Sequence, residues 1–164
     1  MGILTVELIP KTVFFSNVRT VLPKKYWDVI RKESYARANH KCEICYNKGK
    51  DQGFNHDLEC HEIWDFNNET RVQKLVSVTS LCPICHQVKH FGRTSAIGKQ
   101  AQAFKQLETV NGWSHKQCLD HLKEIMIEWL DRSKYKWRLD LSILNELFNI
   151  PKEVIKEGEK KRKI

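Results

Sequence analysis

Two runs decide the fold: Leu58-Glu59-Cys60-His61-Glu62-Ile63-Trp64-Asp65-Phe66 and, after a turn, Leu75-Val76-Ser77-Val78-Thr79-Ser80-Leu81-Cys82-Pro83-Ile84-Cys85-His86-Gln87-Val88-Lys89-His90. The first alternates Leu58, Cys60, Trp64 and Phe66 against more polar neighbours, the period of a half-buried strand from Asp57 to Phe66. Asn67-Asn68 supplies a turn, and Val72 to Val78 reads as the return strand. Pro83 fits the first turn of a short helix through about Phe91, with Gly92 as its stop. The expected order is strand, turn, strand, helix.

Two Cys-x2-Cys pairs, Cys42/Cys45 and Cys82/Cys85, bracket that hairpin with 36 residues between them, from Tyr46 through Leu81. Each pair has the bite that lets two thiolates reach one tetrahedral zinc. Four protein ligands close such a site, so this zinc is structural and any chemistry needs a second centre. Cys60 and Cys118 fall outside the pattern and are expected as reduced core or surface thiols.

A second centre is suggested by His61 on the strand with His86 and His90 on the helix. Residues four apart share a helix face, so two imidazoles can bind one ion. His61 from the strand beneath would complete three ligands for a second divalent metal and leave positions open for water and a phosphate oxygen. The plainer alternative for His86 and His90 is a solvated helix face.

Working outward, Leu4 to Leu22 is rich in Thr, Val, Phe and Ile and holds Pro10, which suits short strands or an extended arm. Pro23 opens an amphipathic helix, with Tyr26, Trp27, Ile30, Tyr35 and Ala38 at helical spacing to about Asn39. Residues 46–56 form a Gly- and Asn-rich loop. Gly98 to Val110 is a further helix, stopping at Asn111-Gly112. Ser114 with Gln117 is a capping box opening another, whose stripe of Leu119, Leu122, Ile125/Met126 and Trp129/Leu130 is assigned to the core. Tyr135 to Leu141 reads as a strand, Ser142 to Phe148 as a short helix, and Lys152 to Ile164 as a solvated basic tail.

A chain of 164 residues can bury one core. The expected class is α+β: an arm and helix over 1–40, a zinc-stabilised core over 41–93, a helical region over 94–150 and a basic tail over 151–164. Apolar residues at 41% and charged ones at 29% exclude a disordered chain. A net charge of +8 makes a polyanion a plausible partner. The N-terminus lacks the features of a signal peptide and no run of 18 apolar residues occurs, so a cytoplasmic protein with reduced thiols and no membrane span is expected.

The runs LECHEIWDF (58–66) and LVSVTSLCPICHQVKHFGR (75–93) resemble the HNH endonucleases of the ββα-metal fold. In that family the strand motif reads roughly hydrophobic-Glu-x-[His/Asp]-His-Ile and the helix motif Leu-Cys-x2-Cys-His-x2-Lys. The motif spans Cys42 to Arg93. SNVRTVLPKKYWDVIRKESYARANHKCEIC (16–45) and the NGW-containing region (111–113) also look like bacterial and phage proteins of this type. The resemblance implies hydrolysis of DNA phosphodiesters, with Mg, Mn, Ni or Zn held by His61, His86 and His90, and Lys89 and Arg93 against phosphates of duplex DNA.

Two positions depart from the family pattern. Glu62 stands where the general-base histidine is usual, and Ser77 stands in place of the central asparagine that orients it. Glu62 could act as base, as a further ligand, or through a structural hydrogen bond; a shifted register would make His61 the base. The alternatives to a nuclease are a nucleic-acid-binding module that has lost cleavage, and a phage or host interaction protein using the zinc scaffold to engage a protein partner.

Overall fold

The computed structural model describes residues 2–161. In chain order the elements are α1 (Val18–Val21), α2 (Lys24–Arg37), β1 (Glu59–Asn67), β2 (Val72–Leu81), α3 (Pro83–Lys89), α4 (Phe91–Ala96), α5 (Gln100–Asn111), α6 (His115–Arg132), β3 (Arg138–Asp140), α7 (Ile143–Phe148) and α8 (Lys152–Lys160). The class is α+β, with a small three-stranded sheet in the order β1-β2-β3. β1 and β2 form the antiparallel hairpin, pairing Glu59 with Leu81 and Asn67 with Val72; β3 lies parallel to β2. The register shifts between Ile63 and Trp64.

Alternation along β1 sends successive side chains to opposite faces, and a core lies on each. On one side Leu81, Cys82, Cys85 and Val88 pack with Leu4, Val6 and Leu107. On the other Leu75 and Val78 pack with Val18, Ile30, Leu141 and Ile155. The hairpin is thus the partition of the molecule, and α3, following β2 directly, folds back over the first face.

Residues 4–22 form no strand. They run as an extended arm with one 3₁₀ turn, Lys11–Val13, as far as α1, because backbone groups of the arm are taken by side chains of other elements instead of a ladder. The Leu4 amide donates to Asn111 Oδ1 (2.8 Å), and Asn111 Nδ2 donates back to the Leu4 carbonyl (2.7 Å). The Val6 amide donates to His121 Nε2 (3.0 Å), and Trp129 Nε1 donates to the Ile9 carbonyl (2.9 Å).

Three expectations need correction. Gly92 does not end the helix after Cys82; it lies inside α4, and the break falls at His90 (φ −94°, ψ 45°). There the Lys89 carbonyl accepts from the Glu7 amide of the arm (3.0 Å), a bond outside the helical ladder. The stripe of α6 is only half covered: Leu122 and Ile125 pack inward, while Leu119, Met126 and Leu130 are exposed. α5 and the arm pack on one side of α6 and leave the other side of its stripe uncovered. The segment after Pro151 is no solvated tail, since α8 buries Ile155 and Gly158, and Glu159 accepts from the Leu141 amide (2.8 Å). Its last residues, 162–164, lie outside the described residues. Among the described residues no helix is long and apolar enough to cross a membrane.

Candidate metal centres

The first knuckle is a tight turn in which the Cys42 amide donates to the Asn47 carbonyl (3.1 Å) and Tyr46 adopts positive φ (62°). Glu43 ties that turn to the end of β2. Its carboxylate accepts from the Ser80 amide (2.6 Å) and the Thr79 hydroxyl (2.9 Å), while its own amide donates to the Ser80 carbonyl (2.9 Å). The second knuckle opens α3, with Cys82 as N-cap and Pro83 at the first helical position.

All four sulfurs lie within 4.8 Å of one another, three on buried residues and Cys45 on a half-buried one. Zn–S bonds of about 2.3 Å imply sulfur–sulfur edges of roughly 3.8 Å in a tetrahedron; Cys45 Sγ and Cys82 Sγ stand 3.5 Å apart. No disulfide forms among them. Hydrogen bonds from Cys45, Cys82 and Cys85 pull the Cys42 thiol strongly down, and those to Cys42, Cys45 and Cys82 drive Cys85 far up. Four thiols this close cannot all ionise without a cation between them. Gln106 Nε2 donates to Cys85 Sγ (3.2 Å), orienting a sulfur from α5. The cluster could hold a metal ion such as zinc. Cys60 and Cys118 stand apart as free thiols, and burial pushes Cys60 up to about 12.

His61, His86 and His90 also come together, with ligand nitrogens within 4.8 Å of one another. Their ring centroids are 5.4 Å apart for His61–His86, 5.1 Å for His61–His90 and 4.5 Å for His86–His90. His61 points from β1 to the α3 face and is almost fully buried. Two carboxylates back the cluster: Glu7 Oε2 lies 2.6 Å from His61 Nε2, and Glu59 Oε2 contacts His86 Nδ1. Each occupies one ring nitrogen and leaves the other free, the arrangement that fixes tautomer and orientation in histidine metal sites.

The electrostatics favour neutral, lone-pair-bearing rings at His61 and His90. Burial lowers His61, and burial with the neighbouring His86 and His61 brings His90 down to about 3. For Glu7, burial opposes ionisation, but hydrogen bonds and charge from His61 and Lys89 outweigh it and hold the carboxyl at about 2. Three converging imidazoles with the carboxylates of Glu7 and Glu59 behind them suit a divalent cation.

Other residues singled out in the sequence are not brought into this cluster. Glu62, next along β1, projects to the opposite face, where its carboxylate accepts from the Val18 amide at the start of α1 (2.9 Å). Burial there raises it to about 7. Ser77 pairs with Ile63 across the hairpin. Lys89 is buried, its ammonium donating to Glu7 Oε1 and Thr5 Oγ1 (2.8 Å each), which leaves it turned inward from any phosphate. Arg93 is exposed on α4.

Glu7 and Glu59 are the carboxylates at the histidine cluster to which the sequence reading gave no role. Glu59 had a signal, since it lies two positions before His61 on the same strand face. Glu7 had none, being 54 residues from the ring it holds. A scan of protein-family models finds no match to this chain, and neither the curated proteins nor the solved structures compared with it contain one.

Proposed function

We propose that this protein is a metal-dependent endonuclease of HNH type that hydrolyses DNA phosphodiesters, with a structural zinc on Cys42, Cys45, Cys82 and Cys85 and a second divalent ion on His61, His86 and His90. The observation that carries the proposal is the convergence of three histidines, two of them oriented by carboxylates, on one face of a strand-turn-strand-helix unit. Three protein ligands leave coordination positions free, as chemistry requires and a closed four-cysteine site does not. His61, His86 and His90 would hold a divalent ion there, which would supply Lewis acidity for phosphodiester hydrolysis.

The chain's own residues do the rest. His61, His86 and His90 hold and shape the centre; Glu7 and Glu59 keep their free nitrogens aimed at it. Glu59 touches His86 and also lines a cleft open to solvent. Its carboxylate is the proton acceptor this reading assigns to an attacking water. Glu62, facing α1, serves the fold.

The reading of a nucleic-acid-binding module that has lost cleavage is favoured by the position of Glu62 on the face of β1 away from the histidines and by Ser77. Incubating supercoiled plasmid with the protein and Mg, Mn, Ni or Zn in turn separates the two. Nicking that disappears in His90→Ala supports the nuclease. A salt-dependent gel shift with no nicking under any metal would overturn it in favour of the binding module.

A further inference from the structure

Beside the Glu59–His86 pair the surface opens into a cleft of about 430 Å³. Along α2, Lys24, Trp27, Asp28, Arg31 and Tyr35 recur at spacings of three and four, so one helix face lines it. Arg19 from α1 joins them, and Glu59 and His86 complete the side nearest the histidine centre.

The lining mixes cations with flat aromatic surface. Asp28 is shared between Lys24 (2.5 Å) and Arg31 (2.9 Å), so one carboxylate holds two cations in place without neutralising both. The exposed Arg19 guanidinium forms no salt bridge among the described residues. Trp27 and Tyr35 are half-buried, each fixed by packing and still open on the cleft side. Rings beside cations that outnumber their carboxylate are how proteins hold a nucleotide whose base has left the stack: the ring takes the base face and the cations take the phosphate. A volume of this order is in the range for a small ligand. A base stacked inside a duplex could not enter it.

We propose that this cleft takes one unpaired nucleotide of a DNA strand whose backbone continues over His86, so that the substrate is single-stranded or locally opened DNA. The substrate assignment rests on the nuclease reading of the histidine centre; the binding does not. Trp27 and Tyr35 stack on the base, and Arg19 with Arg31 holds the flanking phosphate.

The test is fluorescence anisotropy of end-labelled oligothymidine, against a blunt duplex of equal length, with full-length protein and no added divalent metal. Wild type binds the single strand more tightly. Trp27→Ala weakens oligothymidine binding on the order of tenfold, and Trp27→Phe, which keeps a flat ring in the same packing, restores most of it. Arg19→Ala lowers the slope of log affinity against log salt by about one. A blunt duplex bound as tightly as the single strand would overturn the proposal. So would a folded Trp27→Ala that binds like wild type, or a Trp27→Phe as weak as Trp27→Ala. Single-strand binding with this variant pattern but no cleavage under any metal retires the nuclease and keeps the cleft. Nicking indifferent to Trp27→Ala retires the cleft and keeps the nuclease.

Discussion

Glu7 and His61 stand 54 residues apart in sequence and 2.6 Å apart in space, carboxylate oxygen to ring nitrogen. The same carboxylate receives the buried ammonium of Lys89 at 2.8 Å. One residue of the N-terminal arm therefore orients a candidate metal ligand and neutralises a cation under α3, tying the arm to the site as well as to the fold.

Glu7→Ala should destabilise the protein by about 3 kcal/mol, because removing one partner of a buried pair strands the other. Adding Lys89→Met should recover most of that loss, since the stranded charge is then gone. Urea unfolding of the single and double variants checks this; losses that simply add would show that Lys89 is not held by Glu7.

Glu59 and Glu62 lie on opposite faces of β1, so their glutamine variants should separate. Glu59→Gln should slow metal-dependent nicking on the order of a hundredfold, through a lost proton acceptor and a lost grip on His86. Glu62→Gln should leave the rate within a few fold and change only stability. Plasmid-nicking rates for both, at saturating metal, decide the matter; a dead Glu62→Gln in a fully folded protein would return Glu62 to the chemistry.

Gly49 sits in the loop between the knuckles, and a Cβ there would come within 2.1 Å of the His56 carbonyl oxygen and 2.7 Å of Pro83 Cδ. Both neighbours are stiff, and Pro83 begins the helix that carries Cys85. Gly49→Ala should cost on the order of 1–3 kcal/mol as an overpacking change, and thermal unfolding with metal bound is the measurement.

Ile155 is almost fully buried in α8. Ile155→Ala should cost about 2–5 kcal/mol, as for other large-to-small core changes, where an unattached tail would lose nothing. Denaturant midpoints of the two proteins distinguish these outcomes.

The core of the fold was legible where spacing is local. Alternation over 58–66, the turn at Asn67-Asn68, Pro83 after Cys82 and the two Cys-x2-Cys pairs each encode geometry within a few residues. β1, β2, α3 and the four-cysteine cluster stand where those signals put them. What failed depended on distant partners. The arm forms no strand because Asn111, His121 and Trp129 take its backbone groups. α6 exposes Leu119 and Met126 because α5 and the arm cover only its other side, and α8 docks because Gly158 lets it approach Val21 and Leu22 closely. The histidines were readable from their four-residue spacing. Their carboxylate partner on the arm was not, since no local pattern records a contact across 54 residues.

Counting bound metal tests the central claim most directly: protein saturated with zinc, freed of excess ion by gel filtration and analysed for zinc per chain. Wild type should retain two equivalents, His90→Ala one with the fold unchanged, and Cys82→Ser should lose the knuckle ion together with the structure around α3, because structural zinc binding is coupled to folding. A wild-type protein that holds one equivalent whether or not His90 is present would contradict the account.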